Sequence, residues 1–96
     1  MDNIIKLAKE LNKLYEISYK QIEPNVETII ISKNKDISLI EFYLERLLNI
    51  PTDKSYNMLK KLCDYCWSIN PEISEFYINE FEELYGIEDP KKRKKT

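Results

Sequence analysis

Asn70-Pro71-Glu72-Ile73-Ser74-Glu75-Phe76-Tyr77-Ile78-Asn79-Glu80-Phe81-Glu82-Glu83-Leu84-Tyr85-Gly86 reads as one helix with both ends marked. Asn70 is an N-cap, Pro71 suits the first helical position, and Glu72 complements the positive end of the helix dipole. Gly86 supplies a C-terminal cap. Between them Ile73, Tyr77, Phe81 and Leu84 recur at three- and four-residue steps, which predicts a buried arc along one face.

The same grammar extends upstream. Tyr56, Leu59, Leu62, Cys63 and Cys66 make the apolar arc of a preceding helix capped by Thr52 or Asp53, with Lys54, Asn57, Lys60, Lys61 and Asp64 on its wet side. Pro51 ends a helix that Asp36 opens, whose wide stripe of Ile37, Leu39, Ile40, Tyr43, Leu44, Leu47 and Leu48 predicts a central, well-buried element. At the start of the chain, Leu7, Ala8, Leu11, Leu14, Tyr15 and Ile22 form an apolar face opposite Lys6, Lys9, Lys13, Glu16 and Lys20. This first helix is expected to stop before Pro24. Val26, Ile29 and Ile30 then suit a short second helix begun by Pro24, although their β-branching would also fit a strand. Short links favour antiparallel neighbours. The expected fold is therefore all-α: a small antiparallel four- or five-helix bundle over residues 1–88, followed by a disordered basic tail over 89–96.

Composition narrows the chemistry. The chain has 96 residues, 43% of them hydrophobic and 33% charged, enough for one core and no second domain. Histidine is absent, and with it the commonest general base and metal ligand. A single glycine is too few for phosphate-cradling loops. Cys63 and Cys66 have the spacing of a redox or zinc motif, yet no further Cys or His completes a ligand set, and both fall in mid-helix on the apolar arc. They are read as core residues. No carboxylate pair stands apart from the mixed charges of the helix faces, so neither an enzyme nor a cofactor or metal site is expected. No apolar run approaches the roughly 20 residues of a membrane span, and no export signal is visible, so a cytoplasmic location is expected.

The net charge of -2 conceals three zones. Residues 1–69 hold ten acids and ten bases, residues 70–90 hold seven acids and no base, and Lys91, Lys92, Arg93, Lys94 and Lys95 follow. Projection at about 100° per residue places Phe76 off the buried arc, among Glu72, Asn79 and Glu83. An aromatic ring rimmed by carboxylates resembles an interface anchor. The expected site is thus a protein-binding surface of Glu72, Glu75, Phe76, Asn79, Glu80 and Glu83. It would engage a basic surface on a larger protein or nucleoprotein, in the manner of a small inhibitor, immunity or regulatory adaptor protein of phage or plasmid type. Set against this, a charge run taken alone is ordinarily a solvated face. Two alternatives remain: a nucleic-acid-associated regulator gripping phosphates with residues 91–95, and a structural subunit of an oligomer, a homo-oligomer included, in which another chain covers Ile17, Phe42 or Phe76.

Overall fold

The computed structural model describes residues 2–87, among which every regular element is a helix. α1 spans Asp2–Ile31, α2 Ile37–Leu48, α3 Asp53–Trp67 and α4 Pro71–Tyr85. The fold is all-helical, and residues 89–96, expected as a tail, lie outside the described residues.

The sequence punctuation sets the ends of α2, α3 and α4. Asp36, Thr52 and Asn70 each adopt an extended backbone and accept the amide proton of the residue three positions on, Leu39, Ser55 and Ile73 respectively. Gly86 closes α4 in the left-handed conformation, at φ 64°.

α1 departs from expectation. It passes through Pro24 without a break, so one helix stands where two elements were predicted, and residues 24–31 are neither a separate helix nor a strand. Pro24 is exposed, while Ile22, Val26 and Ile29 on either side of it are buried. Burial of both flanks therefore holds the helix together across the hydrogen bond that the proline removes. The side-chain amide of Asn25 donates to the Gln21 carbonyl (2.9 Å), and the Thr28 hydroxyl donates to the Pro24 carbonyl (2.8 Å), shoring up the interrupted turn. α1 ends instead at Ile31, and Lys33 just beyond it lies in the left-handed region at φ 56°. There Asn34 N–H reaches back to the Ile29 carbonyl, at 3.0 Å.

α3 packs against all three other helices, and α2 bridges α1 and α4. The core comprises Val26 and Ile29 from α1, Ile40, Leu44 and Leu47 from α2, Leu59, Leu62, Cys63 and Cys66 from α3, and Phe81 from α4. Hydroxyl groups stitch the elements where they cross. Ser55 donates to the Leu47 carbonyl at 2.6 Å, Ser74 to Cys63 at 2.8 Å, Tyr65 to Asn34 at 2.7 Å and Tyr85 to Leu48 at 2.7 Å. Those of Ser55 and Ser74 are buried, so each hydroxyl taken out of water has a partner.

Two further expectations are corrected. Leu7, Ala8, Leu11 and Leu14 are exposed, because the first turns of α1 extend past the helices that cover its second half. Leu84 is exposed as well. The buried arc of α4 rotates at its C-terminal end, where Glu82 takes an inside position.

Candidate protein-binding surface

α4 turns Phe81 and Ser74 toward α3 and leaves the opposite face open. On the open face Phe76 is 56% exposed, with Glu72, Glu75 and Glu83 exposed around it and Asn79 and Glu80 half-buried at its margins. The Phe76 ring is held edge-on against Tyr77, centroids 5.1 Å apart at 90°. An anchor braced in this way loses less freedom on contact than a free side chain. Tyr77 is itself half-buried between α4 and α2. Its hydroxyl pKa is raised, by burial first and then by Glu41 and Glu45 of α2. Those two carboxylates extend the negative field of α4 across its neighbour.

Leu84, which periodicity assigned to the core, is a second exposed apolar group on α4. A shallow depression of about 460 Å³ lined by Asn79, Glu82, Glu83 and Ile87 adjoins the surface. The structure thus brings the six predicted residues onto one helix, but it gives them unequal access. The basic residues Lys91, Lys92, Arg93, Lys94 and Lys95 lie outside the described residues.

One of the seven acids has a different role. Glu82 is 5% exposed and accepts a hydrogen bond from the Tyr56 hydroxyl at 2.7 Å. Tyr56 in turn stacks on Phe81 and carries the Lys60 ammonium over its ring at 4.3 Å. This carboxylate belongs to the joint between α3 and α4.

The remaining chemistry-bearing groups are interior. Cys63 and Cys66 are free and fully buried in α3. Burial, then Cys66 and Asp64, pushes the Cys63 thiol up to about 12, far from the thiolate that redox or metal chemistry uses. Among the described residues, no group of three or more His, Cys, Asp or Glu side chains is placed to hold a metal ion, and no helix is long and apolar enough to cross a membrane. The chain matches no protein-family model, no curated protein and no solved structure.

Proposed function

We propose that this chain is a non-enzymatic protein-binding module of the inhibitor, immunity or regulatory-adaptor kind, acting in the cytoplasm. It docks the exposed face of α4 on a basic surface of a larger protein or nucleoprotein. The observation that carries the reading is Phe76, more than half exposed yet braced by Tyr77 and rimmed by Glu72, Glu75 and Glu83. Its ring supplies the desolvated anchor, and the carboxylates supply a rim that speeds encounter with a positive partner. Glu41 and Glu45 reinforce that field from α2.

The test is affinity capture from the native host with the full chain, with and without nuclease, beside a Phe76→Ala, Glu83→Lys variant. A single protein retained by the wild type, resistant to nuclease and lost by the variant supports the reading. Phe76→Ala alone then weakens binding to that purified partner by about 1 kcal/mol or more. Unchanged affinity defeats it. Retention that depends on nucleic acid and on residues 91–95 replaces it with the phosphate-gripping alternative.

A further inference from the structure

α2 and α4 carry the same short sequence at the same place. Ile40-Glu41-Phe42-Tyr43 and Ser74-Glu75-Phe76-Tyr77 each begin four residues after an N-cap, Asp36 and Asn70 respectively, so every residue here has a counterpart on the other helix. Burial keeps that register. Ile40 and Ser74 are fully buried, as are Leu47 and Phe81, whereas Phe42 is 50% and Phe76 56% exposed. Each exposed ring stands edge-on to the tyrosine that follows it, Phe42 to Tyr43 at 5.0 Å and Phe76 to Tyr77 at 5.1 Å. With the same positions turned to the core, the two phenylalanines take the same outward phase on their helices.

One position breaks the match. In α2 the residue one turn beyond the ring is Arg46, and its guanidinium carbon lies over Phe42, 5.4 Å from the ring centroid. This is the seat that the negative face of an aromatic ring offers a cation. In α4 the corresponding residue is Glu80, and residues 70–87 contain no Lys or Arg. Among the described residues no cation lies over Phe76. Glu72 and Glu80 stand one turn before and one turn after its ring. α4 therefore keeps the ring, lacks the cation and supplies carboxylates in its place.

We propose that Phe76, Glu72 and Glu80 form a receptor site for an arginine side chain of a basic partner protein. The guanidinium lies over Phe76 as that of Arg46 lies over Phe42, and its N–H groups donate to the carboxylates at the two ends of the ring. Arginine suits the site better than lysine. Its planar group stacks on a ring while its N–H fork meets a carboxylate, whereas an ammonium is a compact, strongly hydrated charge. Glu41 and Glu45 of α2, which act on the adjoining Tyr77 hydroxyl, add to the negative field that draws such a side chain in. This assignment rests on the reading of α4 as the docking face and gives that face its chemical preference.

The test needs no identified partner. Acetylated and amidated hexa-arginine is titrated into the isotope-labelled full chain at low ionic strength, and the ring protons of Phe42 and Phe76 are followed by NMR. The Phe76 ring is expected to shift saturably, and the Phe42 ring, already covered by Arg46, to shift little. Glu80→Arg supplies the cation from within and is expected to weaken the peptide at Phe76 about tenfold, more than the equal charge change Glu75→Arg. Arg46→Glu is expected to do the reverse, so that Phe42 responds as well. The substituted residues are exposed or half-buried, and circular dichroism checks that each variant is folded. The site is overturned by no shift at Phe76, by equal shifts of both rings in the wild type, or by a response that Glu80→Arg reduces no more than Glu75→Arg does. Hexalysine acting as strongly as hexa-arginine overturns the choice of arginine. Failure here is distinct from failure of the docking face: a captured partner lost by Phe76→Ala, with no arginine response at the ring, keeps the face and removes the site. A ring that binds hexa-arginine in a chain that captures no protein keeps the site and removes the partner.

Discussion

Tyr56 and Glu82 meet across the α3–α4 joint, the phenol donating to the carboxylate at 2.7 Å while its ring stacks on Phe81 at 5.0 Å. A nearly buried carboxylate needs donors to offset its lost hydration. Tyr56→Phe keeps the stacking and removes one donor, so it is expected to destabilise the fold by about 1–3 kcal/mol. Urea unfolding reads this directly; an unchanged midpoint would show that the bond contributes nothing net.

Ser74 is fully buried where α4 crosses α3, its hydroxyl on the Cys63 carbonyl at 2.8 Å. Ser74→Ala should cost about 1 kcal/mol through the lost hydrogen bond. Ser74→Leu should cost more, because added methylenes at a close helix crossing force the backbones apart. Denaturant titration of the pair ranks them, and equal costs would argue that the crossing has room to spare.

Two helix ends use the left-handed conformation with opposite residue choices, Lys33 at φ 56° and Gly86 at φ 64°. Lys33→Gly is expected to stabilise the protein by about 0.5–1 kcal/mol, and Gly86→Ala to destabilise it by a similar amount. Nothing lies within 4 Å of a methyl group added at Gly86, so any loss there reports backbone strain. Thermal unfolding of both variants checks the opposite signs.

Pro24 interrupts α1 on its wet face. Pro24→Ala restores the missing N–H and relieves the ring against the preceding turn, and is expected to stabilise the protein by about 1–3 kcal/mol. A loss of stability instead would show that α1 depends on a bend at this position.

Alkaline pH probes the interior. The Cys63 thiol, ordinarily at 9.0, is pushed up to about 12, chiefly by burial. Tyr19, ordinarily at 10.0, is also raised to about 12, by burial first and then by its hydrogen bond to Glu23. In both cases the folded chain holds its proton more tightly than the unfolded one. Their stabilisation is thus complete below about pH 9 and is lost as pH rises toward 12. Cys63→Ala is expected to flatten the onset of the decline near pH 9, where the unfolded thiol titrates ahead of the tyrosine hydroxyls. An equally steep decline in that variant would exclude Cys63 as its source.

The helix ends were legible because they are local chemistry. Asp36, Thr52 and Asn70 each bond a backbone amide three residues away, and Gly86 supplies a backbone conformation that other residues adopt at a cost. Phe76 was legible as a residue off the buried arc for a related reason: helical periodicity fixes which side chains share a face. Pro24 was misread because its local penalty was weighed without the burial of Ile22, Val26 and Ile29 around it. Leu7, Leu14 and Leu84 were misread because periodicity identifies an apolar face but not the length over which another helix covers it.

Glu82 shows the same limit from the polar side. Among the five acids of α4, nothing local distinguishes the one that turns inward to meet Tyr56, 26 residues away in sequence. The sequence by itself determined the helical class, the caps and the chain's negative C-terminal helix, since each depends on neighbours within about one turn. Only the tertiary structure decided which apolar rows became core and which stayed bare. Burial is a relation between segments distant along the chain, and the area it removes from water outweighs any single local preference.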